Sequence, residues 1–122
     1  MIFQYTFKKV LSDNKTLTAR IWKEDYAVLT TESGLCDAIV SKKSGRRLYY
    51  LGQKRAVQRG RGKRGEGWIE IIKLIPNRDI RGYSIIDIER EGYTTHNEFL
   101  KVWRKMHGEN YIALVIQFKV LK

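Results

Sequence analysis

The side chains most suited to chemistry lie near the start of the chain, where polar and apolar residues alternate from Thr16 to Trp22. This alternation predicts a strand that presents Thr16, Thr18 and Arg20 in a row, roughly 6.6 Å apart, with Lys15 just before it. The opposite face is apolar and must be buried for the strand to keep its register. Two hydroxyls, a guanidinium and an amine on a rigid backing could bind a polar ligand. The alternative is an ordinary half-buried strand whose outer face happens to be Thr and Arg.

The positive charge of the chain is concentrated in one segment. The 122 residues carry a formal net charge of +11, yet residues 38–65 hold ten basic side chains and no acidic one. The rest of the chain holds fourteen basic and thirteen acidic residues, so it is nearly neutral. A near-neutral body with one strongly basic segment is typical of a protein that binds a polyanion. The ten basic residues are Lys42, Lys43, Arg46, Arg47, Lys54, Arg55, Arg59, Arg61, Lys63 and Arg64.

Residues 52–67 predict a flexible basic loop, because five of the ten glycines fall there. Within it, Gly60 to Gly65 matches the G-x-G-x-x-G pattern of dinucleotide-binding folds. We reject that function because the pattern requires an apolar strand before it and a helix after it, whereas an Ile-rich strand follows here. Basic side chains among the glycines instead predict a loop that contacts phosphate groups. A solvated loop without a ligand is the alternative.

Several classes of protein do not fit the composition. Cys36 is the only cysteine, so no intrachain disulfide can form, and with His96 and His107 it shows no metal-ligand spacing. We therefore expect no metal and no cofactor. No apolar run approaches the roughly 20 residues needed to span a bilayer, and Lys8 and Lys9 interrupt any signal-peptide pattern. We expect a cytoplasmic protein without membrane contact; the oligomeric state is open, with a monomer favoured.

The elements that must position the polar row are predicted to be mostly strands. Residues 8–13 predict one or two helical turns, and residues 27–31 fit either a strand or a short helix. Residues 68–75 are rich in Ile and predict a mostly buried strand that ends at Pro76-Asn77. The predicted strands cover residues 2–7, 16–22, 35–40, 48–51, 55–58, 68–75, 82–88 and 111–121.

The pattern from Thr95 to His107 predicts one long helix. Thr95 and Glu98 match a capping box, apolar residues recur at helical spacing from Phe99, and Gly108 is a natural stop. Several strands, few helices and no βαβ rhythm predict a single α+β, mainly β domain over residues 1–122. We expect a small curled sheet or barrel with this helix against it and one or two short helices.

Two blocks of the sequence resemble the ASCH domain family. The segment Lys15 to Arg20 resembles its K-T-x-T-x-R motif. The segment Asp87 to Tyr93, followed by Glu98-Phe99 and Trp103, resembles its later E-G-[FY]…E-F…W block. The closing hydrophobic strand also fits, so the resemblance covers essentially the whole chain. It implies a PUA-like fold, which is a small mixed β-barrel with flanking helices, and a cleft for RNA or a nucleoside.

The resemblance also implies roles for particular residues. Some members bind RNA, some remove the acyl group from 4-acetylcytidine, and others are described as ribonucleases. The catalytic groups of the amidohydrolase members correspond to Lys15, Thr18 and Glu91. A lysine can activate a threonine hydroxyl only if burial or cationic neighbours lower its pKa, and Glu91 would then shuttle a proton or orient the substrate amine. The same three residues would equally form a pocket that binds without catalysis.

We therefore expect a protein that binds RNA through a polar cleft and a basic loop. Arginine and lysine would contact phosphates, and Tyr49 would stack on an unpaired base. A hydrolase acting on RNA or on a modified nucleoside is one alternative, and an adaptor that binds an acidic protein through the basic loop is another. Besides the three residues above, the expected RNA contacts are Thr16, Arg20, Arg46, Arg47, Tyr49, Lys54, Arg55, Arg59, Arg61, Lys63 and Arg64.

Overall fold

A computed structural model describes residues 1, 3, 6–12, 15–58, 60, 65 and 67–121, and over these residues it contains seven strands and three α-helices. The helices are α1 (Phe7–Leu11), α2 (Ile85–Arg90) and α3 (His96–His107), and a 3₁₀ turn covers Ile80–Gly82. The strands are β1 (Leu17–Ile21), β2 (Tyr26–Thr30), β3 (Cys36–Ser41), β4 (Arg47–Tyr50), β5 (Lys54–Ala56), β6 (Trp68–Asp79) and β7 (Ile112–Leu121). The mainly β character predicted from the sequence is confirmed.

The strands form two antiparallel sheets, one in the order β1-β7-β6-β5 and the other in the order β2-β3-β4. Strand β7 lies between β1 and β6, and its residues Ala113, Leu114, Val115 and Ile116 are all buried. One side of this strand faces the second sheet, where the core includes Leu114, Ile116 and side chains of β2, β3 and β6. The other side packs against α3. The position of β7 explains why the first half of this strand is apolar on both faces.

The predicted closed barrel is wrong. Among the described residues, the ladder of the four-stranded sheet does not continue into the three-stranded sheet. The link between β4 and β5 is held to β6 by two backbone hydrogen bonds, from Gly52 N to Ile71 O at 2.8 Å and from Ile71 N to Gln53 O at 2.9 Å. Gly52 has a φ of +82°, which turns the chain from β4 into β5 and so ends the pairing of the second sheet. The architecture is therefore two sheets around a shared core.

Helix α3 confirms the helix predicted over residues 95–107, but it is not a long helix. Its twelve residues make it a helix of average size. Thr95 caps the helix by accepting a hydrogen bond from Glu98 N at 3.1 Å. The Glu98 carboxylate accepts instead from the Thr94 hydroxyl at 2.8 Å, so the reciprocal half of the predicted capping box is replaced. Phe99 and Trp103 lie on the buried face against β1 and β7.

The predicted strand over residues 82–88 is also wrong, because α2 covers most of that segment. Ser84 and Asp87 form a reciprocal capping box, with both side chain to backbone distances at 3.2 Å. These hydrogen bonds satisfy two N–H groups of the first turn, and they outweigh the strand preference of the isoleucines that follow.

Two further predictions agree with the structure. The undecided residues 27–31 form a strand, β2, and the turns predicted over 8–13 correspond to α1. The strand predicted over 2–7 is not found at the residues described there, because Phe3 and Thr6 are not in a strand and Phe7 belongs to α1, while the remaining residues of that range lie outside the described residues. No helix in the described part of the chain has the length and apolar character needed to cross a membrane.

Strand β6 does not end at Pro76-Asn77 as predicted. It continues to Asp79, and its register with β7 shifts between Ile75 and Arg78. The shift is a β-bulge, where proline is tolerated because the regular ladder is already interrupted. Asn77 adopts a φ of +53°, a left-handed conformation that suits Asn or Gly.

The bulge generates a prediction about stability. Replacing Asn77 with valine should lower the free energy of unfolding by about 1–2 kcal/mol, because a β-branched side chain is strained at this φ. Asn77→Gly is the matched control and should stay close to the wild type. Urea denaturation of the three proteins measures the effect, and equal stability of the valine variant would show that the bulge is not formed as described.

Candidate functional site

A buried ion pair lies at the centre of the candidate site. Lys15 Nζ donates to Glu91 Oε1 at 2.8 Å and to the Glu91 backbone oxygen at 2.6 Å. The two side chains are each 3% exposed. The Tyr83 hydroxyl donates to the other carboxylate oxygen, Glu91 Oε2, at 2.9 Å. Buried charges are costly unless they are paired and hydrogen-bonded, and this cluster meets both conditions.

The end of helix α2 fixes the position of Glu91. Gly92 N donates to Glu89 O at 2.9 Å and Tyr93 N donates to Ile88 O at 3.0 Å, which is the Schellman pattern of a helix C-terminus. Gly92 has a φ of +93°, and a Cβ there would lie only 3.1 Å from a side chain of α1. The helix end therefore requires glycine after Glu91, both for its conformation and for the close approach of α1.

The start of β1 fixes the position of Lys15. Lys15 N donates to Lys9 O at 3.1 Å, which ties it to α1. Thr16 N donates to Arg90 O and Thr16 O accepts from Phe118 N, both at 2.9 Å, so this residue joins α2 to β7 through its backbone. Thr16 does not line the cleft described next. The sequence predicts Thr16 as part of the polar row, whereas in the structure its backbone links α2 to β7.

A cleft of about 250 Å³ opens between β1, α3 and the three-stranded sheet. It brings together Lys15, Thr18, Arg20, Tyr49 and Glu91, which the sequence analysis singled out from three distant segments. The volume lies just below the usual range for ligand pockets and suits one nucleobase or nucleoside. The lining residues are Phe3, Thr6, Lys15, Thr18, Ala19, Arg20, Ile21, Lys23, Tyr26, Tyr49, Glu91, Tyr93, Phe99, Val102, Trp103, Met106 and His107.

Burial shapes the charges in the cleft. It lowers the pKa of the Lys15 ammonium, although the Glu91 carboxylate opposes the shift. Burial also lowers the pKa of the Arg20 guanidinium, which lies 5.0 Å from the centre of the Phe3 ring. The pKa of His107 is lowered first by burial and then by the charge of Arg20. The cleft thus holds Lys15 and Arg20 beside one carboxylate, with the exposed Lys23 also in its lining and a histidine that favours its neutral form.

Two tyrosines form the wall on the side of the second sheet. Burial, followed by its contact with Tyr49, raises the pKa of Tyr26 to about 12. Their rings meet edge to face with centroids 6.3 Å apart. The Arg55 guanidinium lies 4.6 Å from the centre of the Tyr49 ring, so this predicted RNA contact reaches the edge of the cleft through Tyr49.

The other predicted basic contacts either lie away from the cleft or fall outside the residues that the structure describes. Arg46 and Lys54 are exposed and do not line the cleft. Arg47 covers the Tyr50 ring at 4.2 Å, because a register shift in β4 places it opposite Val40, on the face of the sheet that carries Tyr50 and not Tyr49. Arg59, Arg61, Lys63 and Arg64 lie outside the described residues.

Tyr83, His107 and Tyr26 are among the residues of the site that sequence reasoning missed. Tyr83 hydrogen-bonds a carboxylate eight positions later, and the capping box after it would have indicated the helix that brings the two together. His107 follows Trp103 by one helical turn and stacks on it at 4.4 Å, which the spacing alone could have indicated. Tyr26 carried no comparable signal, because its contact with the cleft depends on how the two sheets pack.

In the described part of the chain, no group of three or more His, Cys, Asp or Glu side chains is arranged to hold a metal ion. Comparison of the chain with protein-family models, with curated proteins and with solved structures finds no match. The chemistry of the cleft itself must therefore support any function assigned to it.

The ion pair generates a stability prediction. Glu91→Gln should lower the free energy of unfolding at pH 7 by about 3–5 kcal/mol, because it leaves the Lys15 charge buried without a counter-charge. The double variant Lys15→Met/Glu91→Gln should lose less than the single variant, since it removes both charges. Urea denaturation measures both, and a double variant less stable than Glu91→Gln would contradict the pairing.

The same variant should depend on pH in a defined direction. The folded-state pKa of Lys15 lies below its ordinary 10.5, so between these values the unfolded chain binds more protons and stability rises with pH. Losing the carboxylate lowers the folded pKa further and widens this window. The deficit of Glu91→Gln relative to the wild type should therefore shrink as the pH is raised from about 7 towards 10. The double variant, which lacks both groups, is the control.

Proposed function

We propose that the protein binds RNA as a domain of the ASCH type. One unpaired nucleotide enters the cleft, and basic residues of segment 38–65 contact the phosphate backbone. The observation that carries the proposal is a pairing of two features: a polar cleft large enough for one nucleobase, lined by Lys15, Thr18, Arg20 and Glu91, and a chain whose positive excess is confined to one segment. A surface of this charge attracts polyanions, and a cleft of this polarity can select among them.

The groups in the cleft match the edges of a nucleotide. The Thr18 hydroxyl can donate to or accept from a base edge or a 2′-hydroxyl. Each oxygen of the Glu91 carboxylate accepts one hydrogen bond and can accept another from an exocyclic amine. Arg20 and Arg55 supply positive charge from two sides, which suits a phosphate. The amidohydrolase members of the family use the positions of Lys15, Thr18 and Glu91, which is a further reason for the proposed family type.

The RNA proposal predicts a specific salt response. The affinity for labelled oligouridine should fall with salt, and each phosphate contact should contribute about −0.7 to the log–log slope. Arg47→Ala should make the slope shallower by about 0.7 by removing one contact. Thr18→Val should weaken binding about 5-fold by losing one hydrogen bond, with the slope unchanged. Fluorescence anisotropy at several salt concentrations measures both parameters.

Two controls accompany these titrations. Lys101→Ala removes a charge from the exposed side of α3, outside the basic segment, and should change neither affinity nor slope. Heparin tests the adaptor alternative, because a protein that recognises only charge binds RNA no more tightly than heparin. Two results would count against RNA recognition by the cleft. One is an affinity of the wild type for oligouridine that does not change with salt. The other is displacement of oligouridine by heparin to the same extent from the wild type and from Thr18→Val.

A hydrolase is the second candidate, and one observation favours it. Lys15 is buried and its pKa is lowered, which is the condition under which a lysine can act as a base, and Thr18 lines the same cleft. In this reaction Lys15 would take the proton of the Thr18 hydroxyl as that oxygen attacks the acyl carbon. The bond from the acyl carbon to the cytosine amine would then break, with the amine taking that proton, and water would hydrolyse the acyl ester on Thr18. The charge distribution weighs against a free nucleoside, since a small neutral substrate gains little from ten clustered cations. An RNA substrate avoids that objection.

The hydrolase candidate predicts release of cytidine from 4-acetylcytidine, or cleavage of RNA. Thr18→Val and Lys15→Met should each reduce the rate by about 100-fold or more, because each removes a group that moves a proton or forms a bond. Chromatography of the products measures the rate, with Lys101→Ala as an active control. Full activity in both variants would rule out this mechanism, as would a wild type that acts on neither substrate.

A further inference from the structure

We propose a second RNA-contacting surface on the outer face of the four-stranded sheet, where an unpaired base stacks on Trp68. We call this surface the Trp68 face and define it by Lys54, Trp68, Glu70, Lys73 and Lys119. It shares its ligand class with the proposed function but includes none of the residues that line the cleft.

Strand pairing places these residues on one face. Residues directly opposite on neighbouring strands share a face of the sheet. Glu70 lies opposite both Lys54 of β5 and Lys119 of β7. Trp68 lies two residues before Glu70 and therefore on the same side. Lys73 lies opposite Gln117, which is two residues before Lys119, so it joins the same surface beyond the register shift.

Helix α3 covers only the other half of this face. Ala113 and Val115 of β7 are buried together with Phe99 and Trp103 of the helix. Further along β7 the same side of the strand carries Lys119, which is exposed. Among the described residues, α3 covers one half of the sheet. On the other half Gly65 approaches Ala56, which lies opposite Trp68, while the side chains of Lys54, Trp68 and Lys119 remain exposed.

The exposed side chains on this half combine aromatic and basic character. Trp68 is 55% exposed, whereas Trp103 in the core is 1% exposed. Ile72, at the register shift, is also exposed. A large aromatic ring presented on a sheet surface is the feature with which sheet-based RNA-binding domains stack on unpaired bases.

The charge of the Trp68 face fits a polyanion better than a second copy of the chain. Lys54, Lys73 and Lys119 are exposed, and the one carboxylate, Glu70, lies 3.6 Å from Lys119 Nζ. Lys54 and Lys119 flank β6 at a separation of about 10 Å, which is two strand spacings. They can contact phosphates on either side of a base that stacks on Trp68. Two such faces would repel each other, because both carry a net positive charge.

The test uses tryptophan emission and anisotropy with oligouridine and the full chain. Trp68→Ala should weaken binding roughly 5- to 150-fold, which is the cost of losing one stacked base. Trp68→Phe keeps an aromatic ring and should bind nearly as well as the wild type. It should, however, lose most of the quenching of tryptophan emission that oligouridine causes. Leu35→Ala is the matched control, since Leu35 is 64% exposed on the other sheet and should not affect binding.

The outcomes separate the two proposals. If Trp68→Ala binds as tightly as Leu35→Ala while Thr18→Val binds weakly, the Trp68 face is overturned and the cleft stands. If only Trp68→Ala binds weakly, the Trp68 face stands and the cleft is overturned. Duplex RNA of equal length should not quench Trp68, because its bases are already stacked. Two further results would overturn the Trp68 face. One is a wild-type protein that does not bind oligouridine. The other is a wild-type protein that sediments as a dimer and becomes a monomer when Trp68 is replaced.

Discussion

The buried ion pair between Lys15 and Glu91 is the interaction on which the rest of the site depends. Each of these charges would cost several kcal/mol to bury alone. The chain must therefore bring the start of β1 and the end of α2 into contact, although 76 residues separate them. Tyr83 satisfies the second carboxylate oxygen, and Gly92 gives the helix end its conformation. The pair thereby positions the edge strand whose side chains line the cleft.

The same pair explains why the cleft suits both binding and catalysis. Desolvation favours the neutral amine of Lys15, and the carboxylate of Glu91 favours the ammonium. With the ion pair intact, the cleft is a polar recognition site with its charges held in place. A ligand that draws the carboxylate away would leave the lysine buried without its partner and so convert it towards a base. The two proposed functions therefore differ in which effect prevails at Lys15. Attraction to Glu91 keeps the lysine charged for binding, and burial favours the neutral amine that catalysis needs.

The sequence predicted those parts of the fold that depend on local patterns. The alternation around Thr18 predicted β1, and the spacing from Phe99 predicted α3. The prediction failed over residues 82–88, where β-branched residues favour a strand but Ile85 and Ile86 are exposed on a helix. There the capping hydrogen bonds of Ser84 and the burial of Ile88 decide the structure. The partnership of Lys15 with Glu91 came from the resemblance to a family, because periodicity carries no information over so long a separation.

The exposure of Trp68 shows how element lengths create a surface that no local pattern predicts. An Ile-rich strand over residues 68–75 was expected to be mostly buried, and its alternate residues Ile69 and Ile71 are. Strand β6 has twelve residues and extends about 40 Å, whereas α3, also with twelve residues, extends about 18 Å. A helix of that length cannot cover the whole sheet, so α3 leaves the Trp68 half of the outer face without a helix over it. The exposed side chains on that half are a tryptophan and lysines. Contact with water alone gives no reason for a tryptophan at such a position.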